Sequence, residues 1–79
     1  ANSMDETALI LAQAYDLTQK ELDVCKLLIR GYTLQSTADT LFVSLNTVRT
    51  HSRSIYRKMN VHTKQELIAR AEETVENTL

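Results

Sequence analysis

Helix-start signals recur along this 79-residue chain and limit what it can fold into. Thr18 is followed three residues later by Glu21, and Thr63 by Glu66, so each pair can form a capping box at the start of a helix. Ser44 is a further N-cap residue ahead of a long helical pattern. With one glycine and no proline, the chain lacks the turn residues that a β-sandwich or barrel needs. These features predict a small all-α domain.

The caps and the spacing of apolar residues define four helices, predicted at residues 19–30, 34–41, 45–59 and from 64 into the mid-70s. Thr33 caps the second of them, while Gly31 and Asn60 can take the left-handed conformation that ends a helix. A short helix near residues 4–14 is less clearly marked. We therefore expect an N-terminal extension or linker helix over residues 1–16 and a four-helix domain over residues 17–79.

Charge is distributed unevenly along the chain, whose net charge is −1. Residues 49–64 hold five of the nine basic residues and no acidic residue. Three basic and six acidic residues precede this segment, and one basic and four acidic residues follow it. A basic segment in an otherwise acidic domain predicts a surface that binds a polyanion.

The predicted helix 45–59 has an apolar and a basic face. At about 100° per residue, the inward face comprises Val48, Ser52, Ile55 and Met59. The opposite face carries a ridge of arginines and two polar residues: Arg49, Arg53, Arg57, Asn46 and Thr50. Arginines one turn apart repel each other, and a purely structural helix would normally carry acids at that spacing. The ridge is therefore predicted to bind a partner.

Helices 34–41 and 45–59 are separated by a three-residue turn, as in a helix-turn-helix motif whose second helix enters the major groove of DNA. Ala38 is small enough to permit close contact where the two helices cross. Arginine suits bidentate contact with guanine, and the Thr50 methyl group can meet a thymine methyl. Double-stranded DNA is thus the expected partner.

An ordered set of segments resembles the LuxR-type (GerE-like) DNA-binding domain: Leu17-Thr18-Gln19-Lys20-Glu21-Leu22, Gly31, Ala38, Leu41-Phe42-Val43-Ser44, Thr47-Val48-Arg49-Thr50-His51, Tyr56-Arg57-Lys58-Met59-Asn60-Val61 and Glu66-Leu67. The resemblance covers about residues 17–72. It implies a four-helix domain of a bacterial transcription regulator, usually at the C-terminus of a longer protein. It also implies that Arg49, Thr50 and Arg53 read bases.

The residues predicted to contact the DNA backbone come from the resemblance and from the ridge. The resemblance implies backbone contacts by Thr47, Lys58 and Lys64, and the ridge adds Asn46 and Arg57. Four positions depart from the family pattern: Ser36-Thr37, where an acid followed by Ile is common, Leu45, where an acid is common, and Ser52, where Val is common. These departures predict a more polar core and an exposed Leu45.

Members of that family typically bind two half-sites as dimers, so we expect a homodimer on DNA through the last helix. The expected seam comprises Ile68, Glu72 and Val75, with Leu79 at its end. The core side of that helix is expected to comprise Leu67, Ala71 and Thr78. An alternative stays open: the apolar residues of the seam belong to a wide apolar face that packs on the core and do not form a dimer interface.

Other functions find little support in the residues. Cys25 falls on an apolar stripe and is predicted to be a core residue. His51 is expected to pack or to contact phosphate, and together with His62 it offers no metal site because no further ligand has zinc spacing. No nucleophile elbow, phosphate loop or ligand cluster is present, so we expect no enzyme activity, no cofactor and no small-molecule ligand.

Two alternatives to the LuxR-type interpretation are a sigma-factor-like promoter-reading module and a protein-interaction domain that docks an acidic partner. RNA polymerase is a further candidate partner. A single cysteine fits a reducing compartment, and no secretory signal or membrane-spanning run is visible, so we expect a cytoplasmic location.

Overall fold

The computed structural model describes residues 3–78 and consists of five helices. In chain order they are α1 (Ser3–Tyr15), α2 (Gln19–Ile29), α3 (Leu34–Leu41), α4 (Leu45–Met59) and α5 (Lys64–Thr78). Within the described residues there is no strand, which confirms the prediction of an all-α domain. The weakly marked N-terminal helix is a full element of 13 residues.

The helix starts follow the predicted caps. Thr18 Oγ1 accepts from the Glu21 amide at 3.2 Å, and a Glu21 carboxylate oxygen accepts from the Thr18 amide at 2.9 Å, which completes the capping box. Ser44 Oγ accepts from the Thr47 amide at 3.1 Å and so begins α4. At α5 only half of the box forms in this way. Thr63 Oγ1 accepts from the Glu66 amide at 3.1 Å, but the Glu66 carboxylate accepts from the Thr63 hydroxyl instead of the backbone.

Left-handed residues end the helices. Gly31 has φ +94° after α2, where the amide of Tyr32 reaches back to the carbonyl of Leu27 at 3.0 Å. Asn60 has φ +56° after α4, as predicted. Phe42 has φ +58° after α3, which the sequence did not suggest, because a bulky side chain is disfavoured in this conformation.

One apolar core joins the helices. Its fully buried members include Leu28 of α2, Val48 and Ile55 of α4, and Leu67 of α5. Helix α1 packs against α2 and α5 and adds Leu11 and other side chains to this core. The segment predicted as an extension or linker therefore takes part in the packing of the domain.

Polar residues enter the core at the positions that depart from the family pattern. Thr37 is fully buried and Ser52 is nearly so, as the sequence predicted. Leu45, which was expected to be exposed, is half-buried. The prediction that Thr78 faces the core is wrong: its side chain is exposed in the last turn of α5, where its hydroxyl donates to the Thr74 carbonyl at 2.8 Å. Among the described helices none combines the length and the apolar character needed to cross a lipid bilayer.

Candidate nucleic-acid interface

Helices α3 and α4, joined by the turn at residues 42–44, form the frame of the candidate interface. Ala38 of α3 is buried, and α3 packs directly on α4. The inward face of α4 is the predicted one, because its buried residues are Val48, Ser52, Ile55 and Met59. This packing fixes which side of α4 points outward.

The outward side of α4 carries the predicted ridge. All five side chains of the ridge are exposed: Asn46, Arg49, Thr50, Arg53 and Arg57. In the described part of the chain, Arg49 and Arg53 make no hydrogen bond or ion pair, while Arg57 donates to Ser54 Oγ at 3.3 Å. No acidic residue occurs in α4 to neutralise the ridge. Arg49 and Arg53 are therefore free to contact an anionic partner.

Thr47 lies at the start of α4, beside the ridge. Its side chain is half-buried, and its hydroxyl shares a hydrogen bond of 2.9 Å with the hydroxyl of the N-cap residue Ser44. The first turn of the helix is thereby held in place, and Thr47 remains close to the exposed face.

Lys58, which the sequence predicted to contact the DNA backbone, has a different partner in the structure. Its Nζ donates to a carboxylate oxygen of Glu21 at 2.6 Å and to the carbonyl oxygen of Asp16 at 2.9 Å. Glu21 also accepts from the hydroxyl of Ser54 and from the amide of Thr18. We call these residues, Thr18, Glu21, Ser54 and Lys58, the Glu21 cluster. It ties the N-terminus of α2 to the C-terminal half of α4.

The Glu21 cluster changes the acidity of its central carboxyl group. Burial alone would raise the pKa of Glu21, but the hydrogen bonds from Lys58, Ser54 and Thr18 outweigh it and lower the pKa to about 2. Glu21 is therefore ionised at neutral pH, although only 5% of its surface is exposed. The position of Lys58 on α4, away from the arginine ridge, is a sequence signal that its role differs from that of the arginines, but it does not identify Glu21 as the partner.

Lys64, the other lysine predicted to contact the DNA backbone, is also engaged. Its Nζ donates to the carbonyl oxygen of Tyr32 at 2.6 Å, across the junction between α5 and the segment that follows α2. Of the five residues predicted to contact the backbone, Asn46 and Arg57 lie on the ridge and Thr47 lies beside it. Lys58 and Lys64 point into contacts within the domain.

The remaining candidates are Cys25 and His51. Cys25 is fully buried, and burial raises the pKa of its thiol to about 12. His51 is half-buried on α4. The residues that the structure describes contain no group of three or more side chains that could hold a metal ion.

The predicted dimer seam lies partly under neighbouring elements. Ile68 and Val75 are half-buried, and Glu72 is exposed. Val75 and Glu72 line a groove together with Thr7 of α1 and Ile29 of α2. Leu79, expected at the end of the seam, lies outside the described residues.

A helix-turn-helix whose second helix buries one face and exposes an arginine ridge on the other defines a DNA-binding domain. The comparison with known families agrees: residues 15–71 match the model of bacterial regulatory proteins of the luxR family. The chain belongs to the LuxR family. It is a DNA-binding effector domain of a bacterial transcription regulator, which confirms this prediction over the sigma-factor alternative.

The chain is similar to several longer regulators. It is 38% identical over 52 residues to the oxygen regulatory protein NreC of Staphylococcus carnosus. The aligned region covers 66% of this chain and 24% of NreC. It is 36% identical over 62 residues to the HTH-type transcriptional regulator MalT of Vibrio campbellii. Here the aligned region covers 78% of this chain and 7% of MalT. The chain thus spans a quarter or less of the length of these relatives. No solved structure matches it significantly.

Proposed function

We propose that this domain recognises specific sequences in double-stranded DNA by placing α4 in the major groove, where Arg49, Thr50 and Arg53 contact base edges. The observation that carries the proposal is the pair Arg49 and Arg53. These two arginines lie one turn apart on the outward face, and both are exposed and without a partner in the described chain. Arginine in this position can bond guanine in a bidentate manner.

The backbone contacts that set the orientation on DNA come, in this proposal, from Asn46, Thr47 and Arg57, which lie on or beside the ridge. Lys58 and Lys64 instead hold α2, α4 and α5 in their relative positions, since their ammonium groups are bonded within the domain. Phosphate contacts supply affinity without sequence preference, and base contacts supply the preference. Substitutions at the base-contacting residues are therefore expected to reduce sequence preference, and substitutions at the phosphate-contacting residues to reduce affinity for all DNA.

The test begins with the selection of binding sites from a random duplex library. Arg49→Ala and Arg53→Ala are then compared with the unchanged chain on a selected site and on random DNA. We expect each variant to lose about 1–3 kcal/mol of binding free energy on the selected site and little on random DNA. Arg30→Ala is the control, because it removes the same charge from an exposed position at the end of α2.

Two outcomes would contradict the proposal. Equal losses on selected and random DNA would mean that the arginines contact phosphate only. Binding to an acidic polypeptide that is as tight as binding to duplex DNA, at every salt concentration tested, would favour the alternative of a protein-interaction domain.

We further propose that two copies pair through α5 when they occupy adjacent half-sites. Ile68 and Val75 support this because they are half-buried apolar residues beside the exposed acid Glu72, a combination suited to weak, reversible association. The test is Ile68→Glu with Val75→Glu, measured by circular dichroism and by binding to DNA with one or two half-sites. Loss of cooperative binding with the fold intact supports the seam. Unfolding assigns the stripe to the core, and unchanged cooperativity excludes the seam.

A further inference from the structure

A shallow groove runs along the side of α4 that faces α2. It is lined by Lys20, Asp23, Val24, Leu41, Val43, Thr47 and His51. Thr47 already belongs to the proposed backbone contacts. The groove therefore continues the proposed DNA interface beyond the ridge and onto α2.

Lys20 lines this groove, but no interaction within the described chain gives it a role in stabilising the fold. It is exposed, and among the described residues no group accepts a hydrogen bond or forms an ion pair with it. It lies in the first turn of α2, where the helix dipole disfavours a positive charge. Lys58 and Lys64, by contrast, each have internal acceptors. An unpaired cation in an unfavourable position suits a partner outside the chain.

His51 and Asp23 are the other titratable groups that line the groove. His51 is half-buried one turn after Thr47 on α4, has no hydrogen-bond partner in the described chain, and offers a ring N–H. The Asp23 carboxylate is half-buried and accepts a hydrogen bond from the side-chain amide Nε2 of Gln19 at 2.9 Å. The acid is thus bonded along α2, while Lys20 extends free at the rim.

We propose that Lys20, Thr47 and His51, which line the same groove, form a phosphate-binding edge for the DNA backbone on the α2 side of the recognition helix. This inference rests on the proposed function. A helix in the major groove has a phosphate backbone on each side. Arg57 and Asn46 serve the ridge side, and Lys20 provides a point charge for the strand on the α2 side.

The test measures binding of the 79-residue chain to a labelled random-sequence duplex by fluorescence anisotropy, with salt varied between about 50 and 200 mM. Lys20→Gln is expected to weaken binding about three- to tenfold near 0.1 M salt and to reduce the log–log salt slope by about one. Lys26→Gln is the matched control, because it removes the same charge from the same helix but does not line the groove. We expect it to bind like the unchanged chain.

A histidine pair separates hydrogen bonding from packing. His51→Leu is expected to weaken binding about threefold, and His51→Gln to restore most of it, because the amide of glutamine can still donate to phosphate. Thermal melts followed by circular dichroism should show that Lys20→Gln keeps the fold, since no intramolecular bond is lost.

The possible results are distinguishable. If Lys20→Gln matches Lys26→Gln while Arg53→Ala still loses affinity for a selected site, the phosphate edge is excluded and the proposed function stands. If His51→Gln binds as weakly as His51→Leu, hydrogen bonding by His51 is excluded. If the unchanged chain binds no duplex at all, both proposals fail.

Discussion

Helix α4 carries two polar surfaces that differ in how their charges are used. Toward α2, Lys58 and Ser54 belong to the Glu21 cluster, in which the ammonium and the hydroxyl both bond to one buried carboxylate. On the outward side, Arg49 and Arg53 have no partner in the described chain. One surface satisfies its charges within the domain, and the other leaves them for a ligand.

This difference separates stability from binding on a single helix. Without Lys58, the buried Glu21 carboxylate keeps its desolvation cost and has only the hydrogen bonds from Ser54 and Thr18 to offset it. Removing one partner of a buried ion pair in this way costs several kcal/mol. An exposed arginine without a partner contributes little to stability, and its removal reduces the repulsion between neighbouring arginines. Substitutions on the two surfaces should therefore have opposite profiles: loss of stability on one, loss of DNA affinity on the other.

The largest expected effect follows from removing the cation of the Glu21 cluster. Lys58→Gln should lower the free energy of unfolding by about 3–5 kcal/mol in urea denaturation, because Glu21 stays buried without its counter-ion. Arg53→Ala is the control on the same helix and should change stability by less than about 0.5 kcal/mol. Adding Glu21→Gln to Lys58→Gln should recover part of the loss. A loss below about 1 kcal/mol for Lys58→Gln would mean that the ion pair is not a structural element.

Acidification should weaken the same cluster without affecting the ridge. The pKa of Glu21 is lowered from 4.5 to about 2 in the folded protein, so its contribution is complete above the unfolded value of 4.5. It is lost as the pH falls from about 4.5 toward 2, and amounts to about 3 kcal/mol. Urea denaturation at several pH values should show this slope, and Glu21→Gln should flatten it. An equal slope in both proteins would assign the acid sensitivity to other carboxyl groups.

The fold and the ridge could be predicted from the sequence because both depend on local rules. Caps such as Ser44 act within one turn, and the spacing of Val48 and Ile55 fixes the inward face of α4. The partner of Lys58 could not be predicted in this way, since Glu21 is 37 residues away along the chain. Pairing at that distance depends on the packing of α2 against α4, and a charge pattern does not contain that information.

Thr37 differs from both the Glu21 cluster and the ridge. It is a buried polar residue whose hydroxyl has neither an internal partner nor access to a ligand. Its hydroxyl has no hydrogen-bond partner in the described structure, and the side chain is fully buried. Thr37→Val keeps the shape and removes the orphaned hydroxyl, so it should raise the free energy of unfolding by about 1–2 kcal/mol. Thr40→Val is the contrasting control on α3: its hydroxyl is exposed and donates to the Ser36 carbonyl at 2.8 Å, so this substitution is not expected to stabilise the domain. Destabilisation by Thr37→Val would show that the hydroxyl is bonded in solution.

The smallest expected effect concerns Phe42, an apolar residue that resembles the ridge in being exposed without a packing partner. Its side chain is 94% exposed, and its backbone has φ +58°, a conformation that costs a non-glycine residue about 1–2 kcal/mol. Asparagine tolerates this conformation better, as Asn60 does after α4. Phe42→Asn should therefore stabilise the domain by about 0.5–1 kcal/mol, and Asn60→Phe should destabilise it by a similar amount.

The DNA affinity of Phe42→Asn then shows whether Phe42 serves DNA binding, as the ridge does. Unchanged affinity would mean that the strain at Phe42 serves neither stability nor binding. Weaker affinity in a more stable domain would place Phe42 with the ridge, as a side chain held outward for a ligand at a cost in stability. Loss of stability on substitution would contradict the prediction, because it would require an apolar contact that an exposed side chain does not have.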